Sequence, residues 1–171
     1  DNTIKLGSPI DPSNGANPSA NVVTLQVPDV VVIDQVIAVW RDVKKPANIF
    51  LVFDKSGSMQ GDKIAQARAG ARKFVRGMGR KDWLAWLPFD SRSYPGATGL
   101  KSEIGEQLEN EILSTTARGG TALYDAIDQA YKVLLKRQAR QGDAARYGIV
   151  VLSDGADGNS STTLAVLEVI M

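Results

Sequence analysis

An open, mostly parallel α/β sheet with helices on both faces is the fold class that this sequence predicts. From Ala47 onward, strand-length apolar runs alternate with helical patterns. Two of the runs, Asn48–Phe53 and Tyr147–Leu152, are apolar on both faces, as central parallel strands are. Both stop at polar turns that carry an aspartate, Asp54 in one and Asp154 in the other.

The elements follow in order. Residues 7–21 are built from turn residues and read as an irregular loop, followed by a strand over Val22–Val27. Pro28-Asp29 opens a helix with Asp29 as cap. Val30, Ile33, Val36, Ile37 and Trp40 recur at helical spacing, until Lys44-Lys45-Pro46 ends it. Its β-branched content makes it an intrinsically poor helix that depends on packing. Residues 1–45 therefore form an N-terminal segment too small to fold alone, and 46–171 form the α/β domain.

Within that domain Asn48–Phe53 is the first strand. A helix over Asp62–Arg76 buries Ile64, Ala67, Ala71, Phe74 and Val75 and stops at Gly77. Trp83–Phe89 alternates Trp83, Ala85, Leu87 and Phe89 against Leu84 and Trp86, with both tryptophans read as core. Ser93–Gly99 suits only an edge strand because of Pro95 and Gly96. A modest helix covers Ile104–Leu113, a turn Arg118–Gly120, and a strong helix Thr121–Lys136 with Leu123, Ile127, Ala130, Tyr131 and Leu134 inward. Tyr147–Leu152 is the last strand, and Thr162–Met171 reads as a helix cut short by the chain end. Right-handed crossovers place the Asn48 and Tyr147 strands in the middle of the sheet.

Composition narrows the chemistry. The 171 residues are 43% hydrophobic with net charge +1, enough for one domain with a core and an appendage. Such a charge gives no electrostatic reason to expect nucleic acid or an anionic membrane as partner. No apolar run is long enough for a transmembrane helix, and no signal-peptide pattern opens the chain. Asp1 is not a natural start, so the chain reads as a piece of a longer protein. Without cysteine or histidine it has no thiolate nucleophile, no Ser-His-Asp triad and no Cys- or His-held zinc. A metal here must be held by oxygen.

Oxygens are what the strand ends supply. Asp54, Ser56 and Ser58 alternate after the first strand, Thr121 opens a helix, and Asp154 follows the Tyr147 strand. In such a sheet ligands bind beyond the C-terminal strand ends, where strand order reverses. Two carboxylates about 4 Å apart would repel by roughly 4 kcal/mol at an effective dielectric of 20, and a divalent cation removes that repulsion. Five hard donors suit octahedral Mg²⁺ or Mn²⁺ better than a Ca²⁺ cage. Singly, Asp54 and Asp154 read as turn residues, Thr121 as a helix cap and Ser56-Gly57-Ser58 as a loop. Their joint placement in one crevice favours a metal site.

Asp54-Lys-Ser56-Gly-Ser58-Met, Gly120-Thr121-Ala-Leu-Tyr-Asp125 and Ser153-Asp154-Gly155, in this order, resemble the metal-ion-dependent adhesion site of von Willebrand factor type A domains, over roughly residues 46–171. The resemblance implies a Rossmann-like fold, with Ser56, Ser58 and Thr121 as direct ligands. Asp54 and Asp154 then act mostly through water or hydrogen bonds. It also implies an open coordination position for an Asp or Glu of a protein partner, and further strands and a last helix beyond Met171. Residues 8–48, with Ser-Pro-Ile-Asp-Pro and Trp40-Arg-Asp-Val-Lys-Lys-Pro46, resemble the end of a bacterial extracellular solute-binding domain fused to such a domain. That implies a surface or periplasmic setting.

The expected function is therefore a non-enzymatic, metal-dependent protein-binding module for adhesion or assembly. The competing reading is a metal-assisted phosphoryl-transfer or hydrolytic enzyme using Asp54. It lacks a second carboxylate at position 56 and a histidine base. Gly57–Lys63 lacks the spacing of a phosphate loop. Lys55 occupies a variable position of the motif, and is expected to point to solvent and favour an acidic partner.

Overall fold

A computed structural model describes residues 29–163. The expected loop over 7–21, the strand over 22–27 and the body of the last helix lie outside these residues; Thr162 and Thr163 are not helical. The chain divides into two units between Lys44 and Lys45.

In the first unit, α1 spans Val30–Val43 and Asp29 caps it, its carboxylate accepting the Val31 N–H at 3.1 Å. Its apolar residues Val30, Ile33, Val36, Ile37 and Trp40 are exposed among the described residues.

In the second unit the order is β1 (Ala47–Asp54), α2 (Asp62–Gly77), β2 (Trp83–Phe89), β3 (Thr98–Leu100), α3 (Lys101–Ser114), α4 (Leu123–Gln141) and β4 (Arg146–Leu152). The sheet order is β3-β2-β1-β4. β1 pairs in parallel with both β2 and β4, and β3 runs antiparallel to β2. The alternation in β2 divides the core as its sequence predicts. Leu84 and Trp86 join Leu51 and Phe53 under α2 and α3, with Ile64, Ala71, Val75, Leu108 and Ile112. Trp83, Ala85, Leu87 and Phe89 join Phe50 and Val52 under α4, with Ala126, Ala130 and Leu134. Helices thus cover both faces of a mostly parallel sheet.

Three expectations need correction. β4 is an edge strand among the described residues, and β1 alone is flanked by parallel strands on both sides. The edge strand is shorter than expected and begins at Thr98, because Pro95 and Gly96 form the return over β2, with the Gly96 N–H bonded to the Trp86 carbonyl at 2.9 Å. The strong helix begins at Leu123, not Thr121, because the Thr121 carbonyl is held by the loop after β4. That loop also caps the helix. Ser160 Oγ accepts the Asp125 N–H at 3.0 Å, and the Asp125 carboxylate accepts the N–H groups of Ser161 and Thr162 at 2.9 and 2.8 Å.

The chain runs outward from β1 to β2 and then back across to β4, on the other side of β1. Strand order therefore reverses between β1 and β4, and this crevice is where a sheet of this kind receives ligands. The register puts Phe53 opposite Leu152 and Asp54 opposite Phe89, so the three strand tips and their loops lie at one level.

Candidate functional site

Asp54 is the last residue of β1 and is fully buried. Its Oδ1 accepts the Ser56 N–H at 2.7 Å, and its Oδ2 accepts the Ser153 hydroxyl at 2.5 Å. Both oxygens are thus committed, one to its own loop and one to the loop after β4. Ser56 is buried, and its Oγ lies 2.9 Å from Ser58 Oγ. Ser58 in turn donates to Asp154 Oδ1 at 3.0 Å. Asp54, Ser56, Ser58 and Asp154 therefore form one connected group, assembled from the tips of β1 and β4.

Thr121 is not hydrogen-bonded to this group, and its backbone is tied instead to the loop that follows Asp154. Its carbonyl accepts the N–H groups of Gly158 and Asn159 at 2.9 and 3.0 Å, and its N–H donates to Asn159 Oδ1 at 2.8 Å. The Gly119–Thr121 turn is also tied to the first loop. Gly57 N–H meets the Gly119 carbonyl at 2.9 Å, and Arg118 N–H meets the Lys55 carbonyl at 2.6 Å. Gly119 has φ of 78°, a left-handed conformation that glycine adopts without the steric cost a Cβ brings. A Cβ on Gly120 would lie 2.0 Å from Asn159 Oδ1, so this close approach also requires glycine. Three loops are thus bonded pairwise into a closed triangle.

The Asp154 side chain is one-fifth exposed and pairs with the Lys63 ammonium from the first turn of α2. That hydrogen bond holds the Asp154 carboxyl below the usual range; Ser58 acts in the same direction, against a partial burial that pushes it up. Among the described residues no three His, Cys, Asp or Glu side chains gather, so hydroxyls dominate the donor set.

Lys55 corrects the sequence reading. It does not reach solvent: the residue is 7% exposed, its ammonium pairs with the Asp90 carboxylate and sits 4.1 Å from the Tyr94 ring centre. Asp90 also accepts the Tyr94 hydroxyl at 2.9 Å and the Arg92 N–H at 3.3 Å. Burial pushes the Asp90 carboxyl up, but Lys55 and Tyr94 outweigh it, and the net shift is downward. Sequence reasoning missed Asp90, Ser153, Asn159 and Lys63. A signal existed for Asp90: like Asp54 it follows an apolar strand, at the tip of β2. Ser153 stands beside Asp154 in the motif but was given no role, and neither Asn159 nor Lys63 carries a local pattern.

The model of the von Willebrand factor type A domain matches residues 49–156, and the chain belongs to this family. Inter-alpha-trypsin inhibitor heavy chain H4 of Sus scrofa is 30% identical over 120 residues, which is 68% of this chain and 13% of the relative. The Synechocystis protein sll0103 is 28% identical over 115 residues, 67% of this chain and 26% of its own length. The chain thus spans 13% and 26% of the length of these relatives. Among solved structures, the von Willebrand factor type A protein from Catenulispora acidiphila matches with a TM-score of 0.61 at 18% identity, covering 74% of this chain and 30% of that one. The three N-terminal domains of the type V pili tip protein Mfa5 from Porphyromonas gingivalis match with a TM-score of 0.56 at 23% identity, over 70% and 22% of the two chains. These likenesses are of fold. Among the described residues no helix is long and apolar enough to cross a membrane.

Proposed function

We propose that this domain is a protein-binding module in which Asp54, Ser56, Ser58, Thr121 and Asp154 hold a divalent cation, Mg²⁺ or Mn²⁺. The supporting observation is the spacing of the oxygens. Ser56 Oγ, Ser58 Oγ and Asp154 Oδ1 follow one another at 2.9 and 3.0 Å. These are hydrogen-bond lengths, and they already bring the three oxygens to the separation of about 3.0 Å that adjacent donors have in an octahedron with metal–oxygen distances of about 2.1 Å. The donor chemistry, hydroxyls with few carboxylates, also fits a hard cation left with net positive charge.

Each residue has a part in this reading. Asp54, buried with both oxygens bonded, orients the Ser56 backbone and locks Ser153, fixing the first loop against the third. Ser56 and Ser58 present hydroxyls, Asp154 presents the more accessible carboxylate, and Thr121 stands on the adjoining loop that completes the triangle. A cation bound there supplies an electrophilic position to which an Asp or Glu of a partner protein can bind. The pilus-tip protein among the structural matches is in keeping with an adhesion or assembly role outside the cytoplasm. We take the module to be non-enzymatic, because an Asp54 whose two oxygens are occupied inside the protein is poorly placed to attack a phosphorus centre.

The test is thermal unfolding with EDTA and with added Mg²⁺ or Mn²⁺. At a metal concentration of 100 Kd, binding adds about 2.7 kcal/mol to stability. Asp154→Ala and Thr121→Ala are expected to abolish the gain. A wild-type melting curve that ignores both EDTA and metal refutes the metal site.

A further inference from the structure

At the opposite end of the strands from these loops lies a cavity of about 250 Å³, bounded by the start of β1, the start of β2 and the end of α4. It owes nothing to the proposed metal site. Its lining includes Asn48, Lys81, Trp83, Leu100, Arg137 and Gln141, with two cationic side chains and no carboxylate.

Arg137 is held in one orientation there. Its Nε donates to Asn48 Oδ1 at 2.5 Å, and its guanidinium carbon lies 4.2 Å from the centre of the Trp83 ring. Asn48 is itself fixed: it is 3% exposed, and its Nδ2 donates to Gln141 Oε1 at 3.2 Å. Among the described residues Arg137 has no ion-pair partner, and neither terminal guanidinium nitrogen donates a hydrogen bond. A half-buried arginine without a counter-charge is unfavourable, and burial pulls the pKa of this group down from its ordinary value. An aromatic plane and a buried amide that fix a guanidinium while leaving its fork open form an oxyanion receptor. Trp83 and Leu100 add an apolar wall beside that fork.

We propose that this cavity binds a carboxylate carried on an apolar group, its two oxygens on the Arg137 fork and its apolar part against Trp83 and Leu100. Lys81 adds a second positive charge at the wall. Two sources supply such a group, a free small organic acid and the C-terminus of a peptide ending in an apolar residue.

The experiment is an NMR titration of the isotope-labelled chain, following the Trp83 indole N–H. Phenylacetate is run beside its uncharged amide, and acetyl-phenylalanine beside its C-terminal amide. Both acids are expected to shift Trp83, neither amide is, and Arg137→Met is expected to weaken the acids about ten- to a hundredfold. Phenylacetate binding at least as tightly as acetyl-phenylalanine identifies a free acid as the source, and the reverse order identifies a chain terminus. Equal shifts from acid and amide, no Trp83 shift at about 10 mM ligand, or unchanged titration in Arg137→Met overturns the proposal. If Arg137→Met does not fold, Arg137→Gln replaces it, and the comparison of acid with amide on the wild type decides alone.

Discussion

Replacing Lys55 by methionine keeps the apolar stem and removes only the ammonium. Among the described residues this ammonium is the one cation paired with Asp90, whose side chain is 6% exposed. The substitution leaves a buried carboxylate with the Tyr94 hydroxyl and the Arg92 N–H, two neutral donors. Breaking a buried ion pair from one side typically costs about 3–5 kcal/mol, and the surviving donors put this case near 3. For a domain of this size that is a fall of roughly 10 °C in melting temperature. The companion variant Asp90→Asn should be destabilised as well. The double variant removes both charges, so it should be more stable than the sum of the two single effects implies, with a coupling of about 2 kcal/mol.

Urea denaturation of the four proteins measures this cycle. The result that refutes the reasoning is a Lys55→Met protein within about 0.5 kcal/mol of wild type, the range of an ordinary surface substitution. Lys55 would then be the solvent-facing residue that its place in the motif suggests. The stake extends beyond stability, because the Lys55 carbonyl and N–H also bind Arg118 and Phe89, at 2.6 and 2.8 Å. Loosening Lys55 loosens one edge of the loop triangle and its tie to the tip of β2.

Acid should reveal the same pair. Asp90 has its folded pKa below the unfolded value of about 3.9, so its contribution is complete above about pH 4 and is lost as pH falls through the folded value. Stability measured from pH 6 downward should therefore fall less steeply below about pH 4 in Asp90→Asn than in wild type, and equal slopes would contradict this. Lys63→Met should tighten Mg²⁺ binding by up to about fivefold, since an exposed ion pair worth at most about 1 kcal/mol no longer competes for Asp154; calorimetric titration reads this directly.

The elements that the sequence made legible are those in which periodicity and burial agree. β2 could be read residue by residue because its alternation matches a two-sided core, and α2 because its apolar stripe ends at Gly77. What stayed hidden depends on distant partners. Nothing near Thr121 shows that its backbone is held by Gly158 and Asn159, so the helix start was set too early by two residues. α4 likewise continues past Lys136 to Gln141, where Arg137 and Gln141 meet Asn48 across the chain. The Lys55–Asp90 pair joins residues 35 apart, and a lysine inside a polar loop carries no local mark of burial. Of the candidate site, the motif spacing named Asp54, Ser56, Ser58 and Asp154, which hydrogen bonds connect in the structure, and Thr121, which stands on the adjoining loop. Their separate tasks depend on exposure, which the sequence does not display.

Exposure separates the two carboxylates of this site. Asp54 is fully buried, and each of its oxygens receives a hydrogen bond from a different loop. Asp154 has one oxygen on Ser58 and the other on an exposed, flexible-stemmed lysine. A ligand can displace Lys63 at little cost because that ion pair is solvated, whereas displacing Ser56 N–H or Ser153 from Asp54 would strand a buried charge. Asp54 is therefore the frame of the site and Asp154 its adjustable part. If the proposed module binds a partner, loops already bonded to one another in this way leave the ordering entropy of binding to that partner.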